Sequence, residues 1–354
     1  MTQKKPVPVG LYPQKAITTF EGWREHVGRP EIKRPKLPLP QEWKKMSPDE
    51  KNQSKRERLI WHAELPPIET RKIENIILDT IELASSNYRA GPGARPGFVL
   101  EGDGTLGKTT ILQLIGRRYE IGVRANFGLS LGEDVGENMF IPVAYITLSG
   151  TVTIKSFNRE MAKFYGIPVS PHATEPELTE VIELVAGKCG TTLILIDDIH
   201  FLKMRNKSGQ DVNNHLKALA SKIPATFGYA GVDLNESGLF LEGRSEERRA
   251  RSQTAHRFSR YLLVPFKSNG IDYLAFLKKV EEQLCLVLHK PGDVLSLQEY
   301  IHERTKGYTG AIAQLLKLGA RKAIREKKER LSIAVLDGIK LANASESSHR
   351  RRRG

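Results

Sequence analysis

The stretch GFVLEGDGTLGKTT, Gly97–Thr110, decides how the rest of the chain is read. Phe98-Val-Leu is a short apolar run that enters a glycine-rich turn, and an amphipathic segment, Ile111–Tyr119, follows. The order is strand, phosphate loop, helix, with Gly102-x4-Gly107-Lys108-Thr109 as the loop's signature. Gly102, Gly104 and Gly107 let the backbone curl until successive N–H groups face one anion. The helix behind them aims its positive end at the same point. Asp103, Thr105, Leu106 and Thr110 complete the expected cradle. Lys108 is expected to reach the β/γ-phosphates, and the Thr109 hydroxyl to ligate Mg²⁺.

Working outward, short apolar segments alternate with helical patterns. Candidate strands are Gly97–Gly102, Val143–Leu148, Thr192–Asp197, Ala225–Gly231 and Tyr261–Pro265. They are apolar on both faces, as parallel strands covered by helices must be. Thr109–Tyr119, Thr153–Tyr165, Glu175–Gly187 and Asp211–Lys222 carry the helical period between them. This βαβ rhythm predicts an α/β fold: a five-stranded parallel sheet flanked by helices. Beyond Phe266 only helical patterns remain, which predicts a small helical lid domain over 267–342. Upstream, Thr70–Ser86 reads as a helix, and Asn87–Pro96 as a turn-rich linker. Residues 61–266 are read as the α/β core.

Residues 1–60 are dense in proline and charge, and read as an extended basic arm with helical patches such as Ser47–Ile60. Residues 343–354, ending in four consecutive arginines before Gly354, read as a disordered basic tail. The net charge of +14 is concentrated at the ends. Residues 1–60 hold 14 basic and 7 acidic side chains, residues 317–354 hold 12 and 4, and the middle is near neutral. Basic ends on a neutral core suggest a polyanionic partner, duplex DNA first among them. The two cysteines, Cys189 and Cys285, make neither a disulfide framework nor a metal cluster. No apolar run approaches the roughly 20 residues of a membrane span, and no secretion signal is read at the start. The expected compartment is the cytoplasm, with no membrane partner.

The second chemical element is Leu193-Ile-Leu-Ile-Asp197-Asp198. A buried strand delivers two carboxylates at its C-terminal end, where open α/β sheets bind ligands. Asp197 is expected to hold Mg²⁺, and Asp198 to orient the attacking water. A third element, Ser252–Arg260, offers arginines that could stabilise charge on the γ-phosphate from a neighbouring subunit. Arg257 is the first candidate there and Arg260 the second. Asp233 is a weaker candidate as a phosphate sensor, and His200 reads as a structural histidine. No nucleophile motif and no zinc spacing is present.

With these residues in place, the chain resembles an AAA+ ATPase, and more narrowly the TniB/TnsC-type ATPases of bacterial transposons. The likeness runs from about Leu59 to Ile324. It rests on the phosphate loop, Ile196-Asp-Asp-Ile-His200, Arg257-Phe258, and Gly307-Tyr-Thr-Gly310 at the opening of a lid helix. It implies a regulator that binds ATP and Mg²⁺ and assembles as a ring or helical filament around duplex DNA. It further implies recruitment of a DDE-type transposase, help in target selection alongside a target-selection protein, and disassembly on hydrolysis. It places Lys155 and Arg159 where related proteins touch DNA, and Arg257 at the inter-subunit arginine.

Two departures accompany the resemblance. Many such ATPases carry Asp-Glu where this chain has Asp197-Asp198. A displacement of about 1 Å can cost on the order of 10²-fold in rate, so slow hydrolysis is expected. The lid helix also lacks the arginine that many AAA+ proteins use as a second sensor. A replication-initiator or helicase-loader ATPase shares every motif. A small-molecule kinase on the same loop, and a scaffold that binds ATP with negligible hydrolysis, are the further alternatives.

Overall fold

The computed structural model describes residues 15–90, 95–150, 152–199, 207–232, 234 and 258–341. The described residues fall into two compact units. One lies within Met1–Arg29, Ile77–Gly102 and Ile111–Leu262; the other lies within Pro30–Ile76, Asp103–Thr110 and Leu263–Gly354.

The first unit is built on a sheet of β1 (Gly97–Glu101), β2 (Val143–Thr147), β3 (Leu193–Asp197), β4 (Thr226–Gly231) and β5 (Phe258–Leu262). The strand order is β2-β3-β4-β1-β5, and every pairing is parallel. β1, β3 and β4 are buried along their whole length, which is why their sequences are apolar without alternation. Helices pair sequence-local polar caps with apolar faces. α6 (Ile154–Phe164) and α7 (Glu175–Lys188) each start at a threonine whose side chain and third residue cap one another. Small residues set the spacing of the layers. A Cβ on Gly228 of β4 would lie 2.2 Å from the Phe98 ring, and one on Gly116 of α5 (Lys108–Asn126) 2.6 Å from the Trp23 ring.

The second unit is helical. α2 (Pro40–Lys45) and α3 (Pro48–Ala63) precede α9 (Ile271–Gln283), α10 (Gln298–Thr305), α11 (Thr309–Arg325) and α12 (Ile333–Asp337). Their core joins Phe276, Leu277, Ile301, Ile312, Leu316 and Leu336, all at most 1% exposed. α4 (Arg71–Arg89) and α8 (Lys207–Lys222) complete the helices named here. No described helix is long and apolar enough to cross a membrane.

Two local readings are corrected. The last strand begins at Phe258, three residues before the expected start, so Arg260 lies within β5. Residues 20–60, part of the stretch 1–60 expected as an arm with patches of helix, are folded into the two units. α1 (Phe20–Gly28) buries Trp23 to 1% exposure, and α3 buries Arg58 completely. The physical reason is long-range pairing. Arg58 makes a bidentate ion pair with Glu329, one arm of it 3.0 Å, and also reaches the Cys285 carbonyl. The prolines do not prevent this, because Pro40 and Pro48 stand at the first position of their helices, where no N–H is needed.

Candidate nucleotide site

β1 and β3 are parallel with β4 between them, so Glu101 and Asp197 close their strands at the same edge of the sheet. The loop Gly102–Gly107 leaves β1 at that edge, and α5 starts at Lys108. Thr105 (φ 62°) and Gly107 (φ 87°) take left-handed backbone, the conformation that turns successive amides toward one point. Leu106 is buried and anchors the loop, while Asp103, Gly104, Thr105, Thr109 and Thr110 are exposed.

The loop closes on its own lysine. Lys108 Nζ donates to the Asp103 carbonyl oxygen at 2.7 Å. The loop is also tied to the Gly307–Gly310 segment of its own unit. Gly310 N–H donates to the Thr105 carbonyl at 2.8 Å, and the Tyr308 hydroxyl donates to Asp103 Oδ2 at 3.0 Å. That hydrogen bond to a carboxylate raises the Tyr308 pKa, so the phenol stays protonated as the donor.

Asp197 is 2% exposed and held at both oxygens. The Tyr145 hydroxyl of β2 donates to Oδ2 at 2.7 Å, and the Asp198 N–H donates to Oδ1 at 2.9 Å. Burial first, and then the Asp197 charge, push the Tyr145 pKa up, so this phenol too is a fixed donor. Asp198 has φ 56°, left-handed backbone that costs a non-glycine residue on the order of 1–3 kcal/mol and gathers at functional sites.

The remaining candidates are placed as follows. Lys155 and Arg159 stand one turn apart on α6, with Arg159 exposed and donating to the Pro171 carbonyl at 3.2 Å. Arg260 pairs within its own chain with Glu101, at 2.5 Å. Arg257, His200 and Asp233 lie outside the described residues. Tyr145 was missed from sequence, although a phenol in the otherwise apolar Val143-Ala-Tyr145-Ile was a usable signal.

The donor set fits a magnesium nucleotide. Lysine, threonine hydroxyl and carboxylate are hard ligands for phosphate and Mg²⁺. Among the described residues no group of three or more His, Cys, Asp or Glu is arranged to hold a metal by itself. Mg²⁺ is commonly held by one or two carboxylates plus the substrate's phosphates.

An AAA domain family model matches residues 94–232, from just before the loop to the end of β4. No curated protein matches the chain. Among solved structures, the Aeropyrum pernix ORC1 protein in complex with DNA superposes with a TM-score of 0.57 at 17% identity, over 83% of this chain and 70% of that one. Drosophila ORC bound to DNA gives 0.52 at 13%, over 93% and 72%. The Aeropyrum pernix ORC2 protein, solved as ADPNP–ADP complexes, gives 0.51 at 14%, over 76% and 68%. Identities this low carry the fold and no more. Together with the parallel sheet and the loop that follows β1, they establish that the chain has the AAA+ P-loop fold, with residues 94–232 similar to the AAA domain family.

Proposed function

We propose that this chain is an ATP-dependent switch protein that acts on duplex DNA, of the replication-initiator or helicase-loader kind. The observation that carries the reading is the lysine-bearing phosphate loop that follows β1 and closes on its own Lys108; a buried, oriented Asp197 ends β3. The fold likeness to origin-recognition proteins solved with DNA and with nucleotide supports the assignment to this kind of AAA+ protein. A transposition regulator of the TniB/TnsC type is the second reading. It is favoured by the ensemble of motifs and by the basic residues at both ends of the chain, which nucleotide turnover alone does not need.

Lys108 exchanges the Asp103 carbonyl for phosphate oxygens. Thr109 and Asp197 would hold Mg²⁺, Asp198 would orient the attacking water, and magnesium ATP would supply the phosphoryl group. Hydrolysis is slow, with Asp198 shorter by a methylene than a glutamate. Arg257 completes the site of a neighbouring copy, so the chain works as a homo-oligomer, a ring or helical filament. Lys155 and Arg159 face the DNA backbone.

The test is imaging of the protein with duplex DNA and ATP, a non-hydrolysable analogue, or no nucleotide. Nucleotide-dependent rings or filaments on DNA support the proposal, and monomers indifferent to DNA contradict it. Addition of a replicative helicase or of a DDE-type transposase then separates the two readings by which one joins the assembly.

A further inference from the structure

Trp23, Tyr145 and Asp197 form a chain of contacts that runs from the N-terminal helix to the end of β3. The Tyr145 hydroxyl donates to Asp197 Oδ2 at 2.7 Å. The Tyr145 ring lies flat against Trp23, centroids 5.5 Å apart and planes within 8°. Trp23 is in turn fixed by its indole N–H, which donates to Glu120 Oε2 at 2.6 Å. Glu120 is paired with Arg124 at 2.9 Å, both fully buried. Gly116 leaves the space the indole occupies. On its other side the Tyr145 oxygen receives the Gln113 amide of α5 at 3.5 Å. Three elements thus converge on one phenol, and the phenol has one strong acceptor.

We propose that Tyr145 is a positioning residue for the Asp197 carboxylate, and that Trp23 of α1 holds Tyr145 to that task. The inference rests on the magnesium-nucleotide reading of the site. A buried carboxylate with Oδ1 on the Asp198 amide and Oδ2 on the phenol has one permitted orientation. Each oxygen keeps a further lone pair for Mg²⁺ or its water shell. Partners that orient a ligating group in this way are typically worth 10–100-fold in metal affinity. Residue 23 lies outside the 94–232 stretch matched by the AAA domain model. In this chain the N-terminal helix is therefore a working part of the magnesium site.

The test measures binding of a fluorescent ATP analogue to the full chain, with Mg²⁺ and with EDTA. Tyr145→Phe keeps the ring, its stacking and nearly its volume, and removes the hydroxyl that donates to Asp197 and accepts from Gln113. It is expected to lose about tenfold of the affinity gained from Mg²⁺ while binding in EDTA within about twofold of the wild type. Trp23→Ala is expected to lose a comparable part of the Mg²⁺ gain, and Trp23→Phe, which can still stack, to restore most of it. If Trp23→Ala does not fold, the comparison of Trp23→Phe with Tyr145→Phe carries the test, since only the second loses the gain. A Tyr145→Phe protein with the full Mg²⁺ gain overturns this inference and leaves the nucleotide site standing. A wild-type protein that binds no nucleotide overturns both.

Discussion

Lys108 Nζ sits 2.7 Å from the main-chain carbonyl of Asp103, five residues back along the same loop. Lys108 is 8% exposed, so its side chain lies against the loop rather than reaching into solvent. A phosphate entering the loop must offer a better partner than one neutral carbonyl, and a multiply charged triphosphate does so. Lys108→Ala is expected to weaken nucleotide binding by at least about tenfold, since a hydrogen bond to a charged group contributes roughly 1.5–3 kcal/mol. Titration of a fluorescent ATP analogue checks it, with circular dichroism to establish that the variant is folded.

Asp198 should separate chemistry from binding. Asp198→Asn is expected to lower kcat by about 10²-fold, within the usual range for loss of a general base, and to leave nucleotide affinity within about twofold. The wild-type kcat itself should fall below the roughly 10 s⁻¹ median of enzymes. If side-chain length is what limits the rate, Asp198→Glu raises it. Steady-state phosphate release measures all three.

Gly310 lies where a side chain has no room. A Cβ there would stand 2.8 Å from the Thr105 carbonyl oxygen, the atom that accepts the Gly310 N–H. Gly310→Ala should therefore cost about 1–3 kcal/mol by forcing backbone apart, visible as a lower Tm, and should weaken nucleotide binding because Thr105 belongs to the phosphate loop. Tyr308→Phe removes only an exposed hydrogen bond to Asp103 and should cost no more than about 1 kcal/mol.

His62 gives the helical unit an acid limit. Its Nδ1–H donates to the Arg58 carbonyl at 2.7 Å, and its Nε2 accepts the Cys285 N–H at 3.2 Å. Both nitrogens are thus committed to one neutral tautomer. Burial first, helped by the charges of Arg58, Arg321 and Arg34, pushes its pKa down to about 4 against an opposing bond to Arg58. The unfolded chain takes up the proton near its ordinary value of about 6.5. The stabilisation is thus complete above about pH 6.5, and is lost as pH falls toward about 4, on the order of 3 kcal/mol in all. Denaturant midpoints across that range should show the slope, and His62→Gln should flatten it.

How much of this was readable from sequence followed the range of the contacts involved. The phosphate loop and Asp197 were legible because each is a contiguous run: an apolar strand, then the polar residues it delivers. β5 was displaced by three residues because it is an edge strand, and Phe258-Ser-Arg-Tyr-Leu262 has no buried residue. Arg58 was counted with the charges of a solvated arm, yet it is fully buried against Glu329, 271 residues later. Trp23 and its stack on Tyr145 escaped for the same reason. Nothing within ten residues of either one hints that they stack, and the stack is what joins α1 to Asp197.

The proposed function requires that nucleotide bound at the Lys108 loop switch the affinity for duplex DNA. Fluorescence anisotropy of a labelled duplex, titrated with the protein in Mg²⁺ plus a non-hydrolysable ATP analogue and again without nucleotide, tests it most directly. Binding should be at least about tenfold tighter with the analogue, a coupling of about 1.4 kcal/mol, abolished by Lys108→Ala and weakened steeply by salt. Equal binding in the two conditions, or no binding in either, would contradict it.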